Sequence, residues 1–196
     1  MMKRKLPSII GVWTLAFLFT FSSLSGVALA EGKSMYKKTL EDYQVPDVKL
    51  ISQEGKEIEL KSYLNSDKPI ILDFIYGTCS TICPVLSVSF AHFQRKLGKD
   101  KDEVRLVSIS IDPDNDTPEL MKEHLQKYGA AEGWDAFTGK RENIIEVLKE
   151  FDSYVSNKMD HFPLTIMRGA GEEKWVRLYG LLSASDLLKE YEMLKK

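Results

Sequence analysis

The two cysteines of the chain, Cys79 and Cys83, are four residues apart. Residues at this spacing meet on one face of a helical turn, so the two thiols can bind one ion or join in a disulfide. A helix N-terminus beside them would favour the thiolate and lower at least one thiol pKa. Thiolates suit cuprous copper or zinc, and reversible oxidation suits electron transfer or disulfide exchange. The spacing does not choose between these functions, and two buried cysteines with only a packing role remain the structural alternative.

One of the three histidines stands where it can complete a metal site. His92 and His124 lie inside helical patterns beside charged or polar neighbours, which indicates solvated or partly packed side chains. His161 lies where a loop enters a strand, so its imidazole can be fixed at the sheet end that carries the cysteines. The spacing leaves His161 open as either a ligand or a structural histidine.

A carboxylate interrupts an apolar strand shortly before the cysteines. We predict that Asp73 lies beneath the cysteines and has a pKa raised by desolvation. It would either accept a proton or contact a metal ligand without binding the metal itself. The alternative is a strand-end aspartate that accepts backbone hydrogen bonds. Asp112 ends the next strand, so a parallel arrangement places it at the same sheet edge, whereas Asp114 and Asp116 favour turn and capping roles.

The apolar patterns predict alternating strands and helices. Residues 69–76 and 104–111 are nearly continuous runs of β-formers, which is typical of buried central strands. Apolar side chains at helical spacing predict a helix that begins close to the cysteines and ends at Gly98. The other predicted elements are a hairpin at 48–60, a helix from Thr117 to Gly129, a strand at 136–138, a helix over 144–151, a hairpin at 164–179 and a helix at 183–194. This order predicts an α/β domain with a mixed sheet flanked by helices and an N-terminal β-hairpin.

The N-terminus has the order of a secretory signal. Basic residues at 3–5 precede an uncharged run from Leu6 to Ala30 that ends in small residues, which predicts cleavage after Ala30. The alternative is an uncleaved membrane anchor, because a span needs about 20 apolar residues. Either way, the body is expected in the periplasm or at the outer face of the cytoplasmic membrane. The predicted organisation is a signal or anchor at 1–30, a polar tether at 31–45 and one domain at 46–196.

The net charge and the positions of the cysteines limit the classes of function that are expected. The net charge is −2, and nothing in the sequence indicates nucleic-acid binding. Both cysteines lie in one short segment. A disulfide between them therefore cannot link distant parts of the chain, as the disulfides of a structural framework do. In an exported protein this favours a redox pair or a metal site.

Three motifs occur in a fixed order along the chain. They are DFIYGTCSTICP at 73–84, VRLVSISIDPDNDTPE at 104–119 and the pair Asp160-His161. In this combination, which extends across residues 69–188, the chain resembles the Sco/SenC family of copper-binding, thioredoxin-like assembly proteins over most of its length after residue 30.

The resemblance implies a thioredoxin fold and a copper site for Cu⁺ or Cu²⁺. It implies that copper is held by Cys79, Cys83 and His161. We expect Asp112, Asp160 and Pro163 to lie next to these ligands. The resemblance also implies a role in building the binuclear copper centre of cytochrome c oxidase. The protein would deliver copper to an oxidase subunit, or reduce the cysteines of that centre by thiol–disulfide exchange.

Other functions remain open beside copper delivery. In a thiol–disulfide reductase, Cys79 attacks a partner disulfide, Cys83 resolves the mixed disulfide and Asp73 moves protons. Pro163 stands near the place where thioredoxins have a cis-proline facing the active cysteines. This position is consistent with thiol–disulfide exchange and predicts a cis bond before Pro163. A peroxidase is less well supported because no arginine or threonine pattern prepares Cys79 for peroxide. A sensor that changes shape on cysteine oxidation is the remaining alternative.

Overall fold

The centre of the protein is the apolar strand that leads to the cysteines. We describe residues 35–195 from a computed structural model. The strands are β1 (Lys37–Glu41), β2 (Lys49–Ser52), β3 (Glu57–Glu59), β4 (Ile70–Ile75), β5 (Arg105–Ser110), β6 (Trp134–Thr138), β7 (Leu164–Arg168) and β8 (Trp175–Tyr179). The helices are α1 (Leu60–Leu64), α2 (Ile82–Leu97), α3 (Pro118–Tyr128), α4 (Arg141–Glu150) and α5 (Ala184–Leu194), and 3₁₀ turns lie at Gly98–Glu103 and Lys158–Asp160.

The described strands form one mixed sheet. Their order is β1-β8-β7-β4-β5-β6-β2-β3. β4, β5 and β6 run parallel, and β7 pairs antiparallel with β4 on the other side. The carboxyl ends of β4 and β5 therefore meet at one sheet edge, where the first residues of β7 also lie.

β4 is buried on both faces, which explains its continuous apolar sequence. Ile71 and Ile75 face the layer that contains α2 and α5, while Ile70, Leu72 and Phe74 face the layer that contains α1 and α4. Asp73 has the parity of Ile71 and Ile75, so it points towards the side of α2. The predicted sheet with helices on both faces is confirmed.

The capping signals in the sequence mark real helix ends. Thr117 accepts a hydrogen bond from the Leu120 N–H at the start of α3, and Gly129 ends that helix with a φ of 66°. Ser183 and Asp186 form a reciprocal capping box at the start of α5. The predicted hairpins are also present, as β2–β3 and β7–β8.

The segment predicted as a tether contains a strand. β1 lies within residues 31–45 and pairs antiparallel with β8, with Lys37 opposite Tyr179. Its sequence, KKTLE, contains one apolar residue and no alternation of apolar and polar side chains, so the pattern does not predict a strand. β1 is an edge strand, bonded to β8 alone among the described strands. The chain enters β1 beside Gly180, where an added Cβ would lie 2.9 Å from the Met35 carbonyl oxygen.

The described residues, 35–195, belong to a single compact unit. The predicted signal or anchor at 1–30 lies outside the described residues. Between residues 35 and 195, no helix combines the length and the apolar character that a membrane span requires.

Candidate metal centre

A tight turn connects β4 to the cysteines. The N–H of Gly77 donates to both carboxylate oxygens of Asp116, at 3.1 Å each, and the Ser110 hydroxyl donates to Asp116 Oδ2 at 2.6 Å. A Cβ on residue 77 would lie 2.8 Å from Asp116 Oδ1, so any larger residue there would displace the Asp116 carboxylate. Asp116 thus joins the loop before Cys79 to the loop after β5.

The two thiols lie together at the start of α2. The Cys83 N–H donates to Cys79 Sγ at 3.4 Å, and the Thr81 hydroxyl lies 3.7 Å from the same sulfur. Both cysteines are free thiols. Cys79 is only 9% exposed and Cys83 only 1%, because both join the apolar cluster between the sheet and α2.

The pKa values of the two thiols are shifted in opposite directions. Burial on its own raises the pKa of Cys79, but hydrogen bonds from the thiol and N–H of Cys83 and from Thr81 lower it to about 7. Burial raises the pKa of Cys83 far above the usual thiol range, and the neighbouring Cys79 raises it further. Cys79 is therefore the thiolate of the pair near neutral pH, and Cys83 retains its proton.

Asp73 lies in β4, on the face of the sheet that packs against α2. Its side chain is fully buried; Oδ1 accepts a hydrogen bond from the Ser108 hydroxyl at 2.6 Å, and Oδ2 has no partner among the described residues. Burial raises the pKa of Asp73 to about 7, against the opposing effect of Ser108. Its charge also contributes to the raised pKa of Cys83. Asp73 can therefore exchange a proton near neutral pH, close to the inner thiol.

The imidazole of His161 is held in one orientation. Its Nε2 lies 2.8 Å from the carbonyl oxygen of Phe74 in β4. A carbonyl only accepts, so Nε2 carries the proton and Nδ1 has a free lone pair. Nδ1 is buried and has no partner among the described residues. Burial lowers the pKa of His161, which keeps the ring neutral and its Nδ1 available to a metal ion.

Tyr76 occupies the space between the cysteines and the histidine. Its carbonyl accepts from the Cys79 N–H at 3.0 Å, and its ring stands edge-on to the His161 ring with centroids 6.3 Å apart. Burial raises the pKa of Tyr76 to about 12, with an added hydrogen bond to the Cys79 thiol. The hydroxyl also donates to the thioether sulfur of Met159 at 3.7 Å.

The three residues predicted next to the ligands have different roles. Asp112 pairs with Lys158 and accepts from the Asn115 side chain at 2.8 Å, so it holds the loop before His161. Asp160 is exposed and ends the 3₁₀ turn. The cis bond predicted at Pro163 is wrong, because residues 35–195 contain no cis peptide; its carbonyl instead accepts from the Gly180 N–H at 3.0 Å.

The other two histidines lie outside this group. His92 is exposed on α2, and His124 is packed against Tyr128 with its Nε2 2.8 Å from the Ser87 hydroxyl. Within the part of the chain that the structure describes, no three acidic, histidine or cysteine side chains already converge in a metal-binding geometry. Cys79, Cys83 and His161 therefore lie at one sheet edge but must move together to share an ion.

Sequence reasoning missed four residues of this region: Tyr76, Asp116, Lys158 and Met159. Asp116 had a detectable signal, because it belongs to the same acidic motif as Asp112, but it was interpreted only as a turn residue. The other three act through contacts between segments far apart in sequence. No local pattern reveals such contacts.

The model of the SCO1/SenC family matches residues 37–177. The SCO1 protein homolog of Bacillus subtilis is 33% identical over 117 residues, which span 58% of this chain and 60% of that protein.

Solved structures show the same fold. BsSco, a member of the Sco family of cytochrome c oxidase assembly proteins, is 27% identical and has a TM-score of 0.65, covering 81% of this chain and 96% of that one. ScoI of Bradyrhizobium japonicum, solved with copper bound, is 25% identical with a TM-score of 0.62, covering 74% and 96%. The mixed sheet with its flanking helices is thus thioredoxin-like, and the chain belongs to the SCO1/SenC family.

Proposed function

We propose that this protein is an exported copper-handling factor for cytochrome c oxidase assembly, which binds copper through Cys79, Cys83 and His161. The observation that carries the proposal is the state of His161. Its Nε2 is fixed on Phe74 while its buried Nδ1 is left without a partner, at the sheet edge that also carries two free thiols. A buried polar atom without a partner is costly, and a bound ion would satisfy it.

The donor set fits copper chemically. Two thiolates and an imidazole form a soft set that accepts Cu⁺ and also holds Cu²⁺. Metal binding requires deprotonated thiols, so copper uptake releases protons. Cys79 gives up its proton near pH 7, while the high pKa of Cys83 makes the second deprotonation the demanding step.

The relatives support copper as the cargo and an oxidase as the destination. ScoI of Bradyrhizobium japonicum was solved with copper bound, and BsSco is described as a cytochrome c oxidase assembly protein. The neighbour from Bacillus anthracis, for which only the fold is shared, is a lipoprotein. In the proposed role, the protein stands outside the cytoplasm, with residues 1–30 as a signal or anchor, and passes copper to thiolates of an oxidase subunit by ligand exchange.

Replacing His161 with alanine tests the ligand set. Loss of a residue that hydrogen-bonds to a metal ligand typically lowers the affinity for the metal by 10–100-fold. Loss of a ligand itself should therefore weaken Cu²⁺ binding by more than about 100-fold. The matched control is His92→Ala, because His92 is exposed on α2 and should bind copper as the wild type does. Copper content and Cu²⁺ affinity by chelator competition, with the reduced full-length protein, give the answer. Equal affinity in the wild type and His161→Ala would reject His161 as a ligand.

Thiol–disulfide exchange is a second candidate function, favoured by the acidity of Cys79 and its contact with Cys83. The Cys79 thiolate attacks a partner disulfide, the partner S–S bond breaks, and the released partner thiolate takes up a proton. Cys83 then loses its proton to Asp73 and attacks Cys79, which frees the second partner thiol and leaves a Cys79–Cys83 disulfide. Two electrons pass to the partner.

A Cys83→Ser variant separates the two functions. Without the resolving thiol, an exchange enzyme should accumulate a mixed disulfide between Cys79 and the partner, visible as a mass shift that dithiothreitol reverses. The rate at which iodoacetamide alkylates Cys79 should be half-maximal near pH 7 in the wild type. Absence of any trapped adduct with an oxidised oxidase subunit, together with slow metal-free turnover, would count against exchange as the function.

A further inference from the structure

An exposed sulfur lies beside the buried thiols. Met159 is 71% exposed, whereas Cys79 is 9% exposed and Cys83 is 1% exposed. A copper ligand on a partner protein can therefore reach the sulfur of Met159 from solvent, whereas the sulfur of either cysteine is covered. Ligand exchange needs a donor atom that both the incoming group and the metal can reach.

Met159 is coupled to the site through one hydroxyl. The Tyr76 hydroxyl donates to Met159 Sδ at 3.7 Å and also interacts with the Cys79 thiol. The same phenol ring lies against His161, two residues beyond Met159. Lys158, which precedes Met159, pairs with Asp112 and places its ammonium group 5.5 Å from the Tyr76 ring centroid. The Tyr76 side chain thus links the Met159 thioether to both Cys79 and His161.

We propose that Met159 is a further copper(I) ligand, which holds the ion while it passes between the buried cysteines and an outside donor or acceptor. The inference rests on the proposed function and names a residue outside the three-ligand set. A thioether is soft and uncharged and has no proton to lose, so it favours Cu⁺ over Cu²⁺.

The exchange step involves no oxidation or reduction. On uptake, a bond forms between Cu⁺ and Met159 Sδ as a bond to the donor breaks. A bond to the Cys79 thiolate then forms as the Met159 bond breaks, and the proton of Cys83 leaves to solvent when the second thiolate binds. Release follows the reverse order. A group that assists in both directions changes both rates and leaves the ratio between them unchanged.

The test measures copper(I) exchange between the reduced full-length protein and the chelator bicinchoninate by stopped flow. Met159→Leu keeps the size of the side chain and removes the sulfur. We expect uptake and release to slow by about tenfold, which corresponds to about 1.4 kcal/mol in the barrier. Met193→Leu is the matched control, since Met193 is 40% exposed and stands next to Leu194, whose carbonyl lies near Gly169 at the opposite end of β7. Unchanged rates in Met159→Leu, or equal slowing in both variants, would overturn the proposal.

A second measurement does not depend on the cysteines. Silver(I), a redox-inert substitute for copper(I), is titrated into a Cys79→Ser/Cys83→Ser variant while the methionine methyl signals are followed by NMR. The Met159 methyl should shift, and the Met193 methyl should not. A Met159 signal that does not move would overturn the proposal. If the wild type takes up no copper, the proposed function fails, and the silver titration still decides the role of Met159.

Discussion

Replacing Asp73 with asparagine should stabilise the protein at pH 8, by up to about 4 kcal/mol, and should remove a fall in stability between about pH 4 and pH 7. The carboxyl has a pKa near 3.8 in the unfolded chain and about 7 in the folded protein, because burial opposes its charge. The native state therefore holds the proton more tightly. The associated stability is complete below pH 3.8 and is lost as the pH rises through 7.

The measurement is the free energy of unfolding by urea at several pH values, for the wild type and Asp73→Asn. The difference between the two proteins isolates Asp73, since all other groups titrate in both. Asparagine cannot accept a proton, so the variant should also slow the resolving step of disulfide exchange while leaving the attack by Cys79 intact. A difference that does not change with pH would show that Asp73 keeps an ordinary pKa.

Gly77→Ala and Asp116→Ala should each destabilise the protein by about 3 kcal/mol, for different reasons. The alanine methyl at residue 77 would press on Asp116 Oδ1 at 2.8 Å. Removal of the Asp116 carboxylate instead leaves the Gly77 N–H and the Ser110 hydroxyl without their buried acceptor.

The double variant makes the test specific. With the carboxylate gone, the methyl at residue 77 has room, so the double variant should be more stable than the sum of the two single effects predicts. Urea unfolding of the four proteins completes the cycle. Additive effects would mean that Gly77 is constrained by something other than Asp116. In Gly77→Ala, the Cys79 pKa should also change, because the same turn positions that thiol.

The elements around the site were predictable because their signals are local. A continuous apolar run specifies β4, and apolar residues at helical spacing specify α2, whichever neighbours they meet. The burial of Asp73 could be expected because it interrupts a continuous apolar run. The Sco/SenC resemblance, carried by three motifs, was confirmed by the family match.

The contacts that determine how exposed the site residues are could not be predicted from the sequence. Burial of Cys79 depends on packing between the sheet and α2, and the pairing of Asp112 with Lys158 joins residues 46 positions apart. The fixed ring of His161 depends on a carbonyl in β4, 87 residues earlier. These contacts arise only when the sheet has formed, so a sequence pattern can nominate His161 but cannot say which nitrogen is free.

The pairing of β1 with β8 determines where the N-terminal segment joins the domain. Lys37 lies opposite Tyr179, Tyr179 lies opposite Leu164, and Met35 passes beside Gly180, whose N–H bonds to Pro163. The chain thus enters at the sheet edge that carries His161, rather than at the far end of the strands. In the proposed anchored form of the protein, a tether joined at this end of the sheet would raise the effective concentration of a membrane-bound partner at the site, so a weak intrinsic affinity would suffice for transfer.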